Sequence, residues 1–296
     1  MTLWKRNIWC RPGSVDTLIL WLLRGAASTA AAVVLLILLF LVVEAWPILR
    51  HIPLLHFLTD DSWHPGEGMY NLAPMLSGTL YAAAGALLLA VPLGIASSLF
   101  ILYYALPGVG NAYLRLVELL AGIPSVVYGF WGLTTLVPLI NRIHPPGASL
   151  LAGILILTLM ILPTVALTAH AALLAVPGEY LRGAVALGLS RWGMVRGVAL
   201  PAAKAGIAAG TILAAGRAIG ETMAVLMVTG NIVQHAHSPF DPVRTLAANI
   251  ALEMPYAMGD HRAALFVSGF TLMMLVIILW GLAAWPGTNI PAKNHG

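Results

Sequence analysis

Two charged residues interrupt an otherwise apolar stretch of this chain. Residues 205–225 read AGIAAGTILAAGRAIGETMAV, and within them Arg217 and Glu221 stand four positions apart. On a continuous helix that spacing puts both side chains on one face, close enough to pair. Arg217 is twelve residues beyond Ala205, about 18 Å along a helix axis. A bilayer's hydrocarbon core is about 30 Å thick, so a helix crossing it from Ala205 holds the guanidinium near the middle. A charge there costs about 2.5–3.5 kcal/mol or more, and it must face protein or a water-filled path. The planar guanidinium donates parallel hydrogen bonds and suits an oxyanion. Glu221 is expected to hold Arg217 when no anion is present and to oppose an anion that lingers. The plainer alternative is a self-satisfied ion pair that fixes helix packing.

Gly206/Gly210 and Gly216/Gly220 in the same stretch have the small-residue spacing that lets helices approach closely in lipid. Gly210 and Arg217 are seven apart, so the charged face is also expected to be the packing face. Pro92, Pro124, Pro138 and Pro163 interrupt other apolar runs. The backbone groups they free need neighbouring protein or water.

The composition requires a membrane setting for these residues. Of 296 residues, 60% are hydrophobic and 9% charged, with a mean hydropathy of +0.90. Soluble domains carry about 25% charged residues, so a soluble enzyme is excluded, and the apolar bias excludes disorder. The net charge is +4, but the basic residues are scattered, with no basic run and interleaved aromatics for nucleic acid. Cys10 is the only cysteine, so an intrachain disulfide is impossible.

The reading is an all-α integral membrane protein with six transmembrane helices, near 25–45, 72–106, 116–140, 149–176, 205–233 and 263–285. The first is taken as a retained span, because residues 25–43 are too long a charge-free run for a signal peptide and no small-x-small cleavage site follows. The second is the least defined. Pro92 sits inside it, and one kinked helix or two shorter ones both fit its length.

Basic residues choose between these and set orientation. With six spans and the N-terminus inside, cytoplasmic segments hold Lys5, Arg6, Arg11, Arg24, Arg115, Arg182, Arg191, Arg196, Lys204 and Lys293. Outer segments hold Arg50, Arg142, Arg244 and Arg262, with most of the acids. Splitting the second run would reverse the later loops and break this bias. The expected organisation is a cytoplasmic tail over 1–24, a first span over 25–45, a transmembrane domain over 70–285 and a cytoplasmic tail over 286–296. No internal repeat is visible.

The main cytoplasmic loop spans 177–204. Leu181, Val185 and Leu189 are spaced for one face of a short helix, and Gly188 can end it. It reads as a solvated connector or as a docking helix for a cytoplasmic partner. The chain lacks the GxxxxGK[S/T] phosphate loop, so any ATP energy comes from another subunit. No metal or other cofactor is expected. His235, His237 and Asp241 lack a strong ligand spacing, and His170 reads as a satisfied core residue before it reads as a ligand.

The loop resembles the coupling loop of permease subunits of ATP-binding-cassette importers. The family pattern is Glu-Ala-Ala, three residues, Gly, nine residues, an aliphatic residue, one residue and Leu-Pro. Ala184, Gly188, Val198, Leu200 and Pro201 fit it, while Arg182 replaces the Glu and Gly183 the first Ala. The segments LLAGIPSVVYGFWG (119–132) and GRAIGETMAV (216–225), with Gly230-Asn231, resemble phosphate-importer permeases, of the PstC type rather than the PstA type.

The resemblance implies a MetI-like permease core and no enzymatic activity in this chain. It implies a second, PstA-like permease, two copies of an ATP-binding subunit, a periplasmic phosphate-binding protein and a bacterial inner-membrane location. It places Arg217, Glu221, Thr222, Ser125 and Tyr128 on the substrate path, and Arg182, Gly183, Ala184, Gly188, Leu200 and Pro201 at the ATPase contact. The sister permease, a permease for phosphonate, sulfate or molybdate, an ion-driven secondary transporter and a non-transporting scaffold remain as alternatives.

Overall fold

The computed structural model describes residues 14–284, so Cys10, the earlier basic residues and the C-terminal tail lie outside the described residues. Within them the chain is mostly helical. In order, α1 covers Ser14–Leu49, α2 His56–Thr59, a two-strand hairpin β1 Trp63–His64 and β2 Met69–Tyr70, and α3 Ala73–Leu99. Then come α4 Pro107–Ala121, α5 Ser125–Trp131, α6 Val137–Asn141, α7 Leu150–Leu174, α8 Gly178–Ala186 and α9 Arg191–Met194. The chain continues with α10 Leu200–Gly220, α11 Met223–Val228, α12 Leu246–Glu253 and α13 Gly259–Ala284.

Five helical segments are long and apolar enough to cross a bilayer: Asp16–Leu49, Ala73–Tyr104, Leu150–Leu174, Arg191–Gly220 and Gly259–Gly281. A sixth is a pair, Gly108–Ala121 and Ser125–Asn141, bent by 93°. The total of six stands, with corrected shapes. The second span is one helix that runs through Pro92 and ends in a π turn at Phe100–Tyr104. The third is not the straight helix expected over 116–140. The sequence Gly122-Ile-Pro124 stops α4, because the residue before a proline avoids the helical region, and Pro124 restarts the chain as the N-cap of α5.

The fifth span differs most from expectation. It begins at Arg191, so Arg191, Arg196 and Lys204 ride on the helix and the loop expected over 177–204 closes at Ser190. It ends at Gly220 rather than continuing to Val233. Glu221 is extended, with φ −69° and ψ 128°, and α11 starts afresh two residues later. α1 also exceeds its expected length, since it takes in part of the segment expected to be a tail.

The centre of the bundle is α7, of whose membrane-length window 61% is buried, against none for α1. α3 runs parallel to it. Gly85 meets Ile154, Gly94 meets Val165 and Ala166, and the Ser98 hydroxyl donates to the Ala166 carbonyl at 2.9 Å. Two parallel helices need an odd number of crossings between them, so the bent pair acts as one traverse. α10 runs antiparallel to α7. α1 lies at the rim on α13, with Phe40 edge-to-face on Phe266 at 5.5 Å.

Glycine sets the α7–α10 distance. A Cβ on Gly206 would lie 2.6 Å from Ala172 Cβ, and one on Gly210 would overlap Thr168. Gly216 instead faces Trp280 of α13, and Gly220 faces open space, so only the first glycine pair is a helix–helix seam. Overpacking such a seam costs about 1–3 kcal/mol. Gly210→Ala is therefore expected to lower the unfolding temperature of the purified protein in detergent, while Gly220→Ala leaves it unchanged or slightly raised.

Candidate substrate path and coupling surface

Arg217 sits in the last turn of α10, on the face that carries Gly206 and Gly210. Its Nη1 donates to Thr164 Oγ1 on α7 at 3.2 Å. Thr164 is fourteen residues into α7, about 21 Å from its start at the helical rise, with ten more residues to follow. The guanidinium therefore lies near mid-span, although the span that carries it starts at Arg191, well before the expected Ala205. Arg217 is half-buried. Among the described residues no carboxylate forms an ion pair with it.

The expected Arg217–Glu221 pair does not form. The i,i+4 geometry needs a continuous helix, and the helix stops between the two residues. Glu221 turns forward, and its Oε1 accepts the Ala224 backbone N–H at 3.0 Å. It caps α11, where a negative side chain satisfies an unpaired N–H and opposes the positive end of the helix dipole. The Thr222 hydroxyl donates to the Gly220 carbonyl at 3.2 Å, closing the same break.

α5 lies against α11. A Cβ on Gly129 would be 2.9 Å from Ala224 Cα, so only glycine admits this approach. Tyr128 is buried, and its hydroxyl donates to the Leu120 carbonyl at 2.9 Å, tying α5 back to α4 across the bend. Ser125 opens α5 and is half-buried. The two helix breaks and the arginine thus converge on α7. The guanidinium keeps donors beyond the one given to Thr164, which is what an oxyanion needs.

The loop after α7 has the expected form with a different face. Leu181 is half-buried against Leu99, Leu173, Val195 and Ala199, and Ala184 is buried. Val185 and Leu189 are exposed, and Leu187 is 82% exposed. Gly188 has φ +73°, its N–H bonds the Val185 carbonyl, and the Leu189 N–H bonds the Ala184 carbonyl. This is the Schellman ending of a helix, which favours glycine at that position. Ser190 then caps α9 through the Gly193 N–H at 3.1 Å. Arg182, Gly183 and Pro201 are exposed, and Leu200 is half-buried. The result is a short rigid helix that presents apolar side chains and Arg182 outward.

At the opposite end, Glu253 is 8% exposed and holds three segments together. It accepts from Trp63 Nε1 at 2.9 Å and from Arg244 Nη1 at 2.6 Å, and it pairs with His261 Nε2 at 2.8 Å. These residues border a cleft of about 700 Å³. Sequence spacing gave no sign of this cluster, because Arg244, Glu253 and His261 share no helical repeat and Trp63 comes from 190 residues away. Asp60 is held below the usual carboxylate range, chiefly by the Tyr70 N–H. Asp241 is likewise lowered by the His237 and Ser238 N–H groups. Asp241 thus closes its own loop, and no metal-binding group of three or more ligand side chains occurs among the described residues.

Comparison with known proteins places this geometry. Residues 90–285 match the family described as the inner membrane component of binding-protein-dependent transport systems. The chain is 34% identical to the phosphate transport system permease protein PstC of Mesorhizobium japonicum, over 80% of each chain. It is 38% identical to a probable ABC transporter permease, YqgH, of Bacillus subtilis, over 77% of this chain and 76% of that one. Among solved structures, a bacterial alginate ABC transporter in complex with its alginate-bound periplasmic protein superposes with a TM-score of 0.66 at 17% identity, covering 96% of both chains. The MetNI methionine ABC transporter superposes with a TM-score of 0.56 at 19% identity, over 72% of this chain and 90% of that one. The extent of the family match and the shared helical core make this chain a member of the binding-protein-dependent transport permeases, the membrane components of ABC transporters.

Proposed function

We propose that this chain is the PstC-like permease subunit of an ATP-driven importer of inorganic phosphate, with Arg217 as the anion-binding residue of the path. The observation that carries the reading is a mid-span guanidinium bonded to a neutral threonine and ion-paired with no carboxylate among the described residues. A charge of that kind at membrane depth is expensive unless a substrate or water meets it. A tetrahedral oxyanion fits its fork. The PstC name of the Mesorhizobium relative, like that of a Mycobacterium tuberculosis relative 33% identical over 86% of this chain, favours phosphate over phosphonate, sulfate or molybdate.

The subunit pairs with a PstA-like permease, and the two enclose the path. Of the two ATP-binding subunits, one docks on α8 and the Gly188 turn, with Arg182 taking the place of the family's glutamate. A periplasmic phosphate-binding protein delivers the anion at the Glu253 end. The loop chemistry supports a bacterial inner-membrane placement with both termini cytoplasmic, because the basic α8–α9 region then lies inside. ATP binding moves α8, and the motion reaches Arg217 through α10, whose helix starts at the coupling loop itself.

In the reconstituted importer, Arg217→Ala is expected to abolish phosphate uptake while the complex still assembles. Arg217→Lys should keep only a small fraction, since lysine supplies charge without the fork. Normal uptake by Arg217→Ala would exclude the path role. Uptake of another anion in preference to phosphate, in competition assays, would move the chain to one of the other oxyanions.

Thr164 and Glu221 separate positioning from pairing. Thr164→Ala removes a hydrogen bond to a charged group, worth about 1.5–3 kcal/mol, and should lower uptake by tenfold or more, with Thr164→Ser restoring it. Glu221→Gln keeps a capping acceptor and should retain most uptake, whereas Glu221→Ala, which loses a cap worth about 1 kcal/mol, should reduce it. Equal losses in Gln and Ala would restore the ion-pair account.

A further inference from the structure

A small pocket lies beside the Gly188 turn, at the end of the molecule away from Glu253. Its volume is about 300 Å³, and Leu102, Tyr103, Val185, Leu189, Arg191 and Met194 line it. Leu102 and Tyr103 come from the π turn that ends the second span, Val185 from α8, and Arg191 and Met194 from α9. The walls are apolar except for the Tyr103 hydroxyl and the Arg191 guanidinium. There is room for a large aliphatic or aromatic side chain.

Arg191 is exposed, and it does nothing for its own helix. It is the first residue of the helix that runs to Gly220, where the dipole is positive and a cation is unfavourable. Residues 177–204 hold four cations, Arg182, Arg191, Arg196 and Lys204, against the single acid Glu179. All five are exposed, and no ion pair involves any of them among the described residues. Val185 is 64% exposed and Leu189 44%, although both line the pocket. They therefore belong at once to the pocket and to the outward face of α8, so a partner covering that face reaches the pocket. Exposed apolar side chains beside unpaired cations mark an interaction surface.

We propose that this pocket is a second anchor for the ATP-binding subunit, taking from it an apolar or aromatic side chain that stands within one helical turn of a carboxylate, with the carboxylate paired to Arg191. The carboxylate is favoured twice, by the fork of the guanidinium and by the positive end of the helix. Docking is then reciprocal: α8 enters the ATP-binding subunit, and a side chain of that subunit enters the permease. The plug touches the end of the second span and the start of the fifth, so one movement of the partner acts on both. A phospholipid also offers an apolar chain beside an anion. The protein partner is favoured because the pocket is continuous with the α8 face already given to it. The inference rests on that docking reading and adds the chemistry of the partner.

The test is site-specific photo-crosslinking in the assembled transporter reconstituted in lipid. A diazirine side chain is placed at Met194 in the pocket or at Leu187 on the outward turn, and the adducts are identified by mass spectrometry. Both positions should cross-link to the ATP-binding subunit, Met194 to a segment with Asp or Glu within four residues. Arg191→Glu should weaken binding of that subunit to the permease pair on the order of tenfold, and Arg191→Lys should keep most of it. A glutamate at the start of a helix favours the helix, so the melting temperature of the permease pair should not fall, which separates lost docking from lost folding. If Arg191→Glu fails to assemble, Arg191→Gln and the Met194 adduct decide. Unchanged binding in the Glu variant would overturn the pairing. A lipid adduct, an adduct with the second permease or no adduct at Met194, while Leu187 still reaches the ATP-binding subunit, would overturn the pocket and leave the docking of α8 intact. No adduct with that subunit at either position would overturn both.

Discussion

The close approach of α10 to α7 is the constraint on which the rest of the structure depends. Gly206 and Gly210 let the two backbones meet at Ala172 and Thr168. About two turns further along the same face, Arg217 reaches Thr164. In lipid there is no hydrophobic force between helices, so packing of small residues must hold this seam. The seam fixes both the depth of the guanidinium and the direction in which it points. It also joins the loop before Arg191 to Arg217, because α10 continues the helix that starts at Arg191.

Two helix breaks complete the arrangement. One lies at Gly122–Pro124 and the other at Glu221–Thr222, and they bring α5 and α11 together beside α7. Non-helical backbone at membrane depth is tolerated only where protein or water covers it. Both breaks are covered from within. Tyr128 bonds the Leu120 carbonyl across the first, and Glu221 bonds the Ala224 N–H across the second. The glutamate expected to guard the arginine is used instead to start a helix. That leaves the guanidinium available to a substrate rather than neutralised by its neighbour.

Much of this was legible in the residues. Apolar runs located the spans, and the shared face of Gly210 and Arg217 was the packing face. Gly188 was a helix stop. What periodicity missed follows from its assumptions. It extended the fifth helix through Gly220 and Glu221, although a glycine at the end of an apolar run is a stop signal there as much as at Gly188. It began the same helix at Ala205, because Arg191, Arg196 and Lys204 were taken to mark a loop, whereas a helix can run past the hydrocarbon into water. Thr164 carried no signal beyond its polarity, since its partner is 53 residues away. Glu118 was absorbed into a span and its charge left unread, while the Glu253 cluster joins residues up to 190 apart.

The central claim is that Arg217 is open to water and holds the anion at the level of Thr164. Thiol labelling tests it most directly. In a Cys10→Ser background, a cysteine at Thr164 in the assembled transporter is treated with a charged aqueous thiol reagent, with and without phosphate. The account predicts that the site reacts, that phosphate slows the reaction when Arg217 is present, and that phosphate has no effect in Arg217→Ala. A site that does not react, or equal protection with and without the arginine, would contradict it.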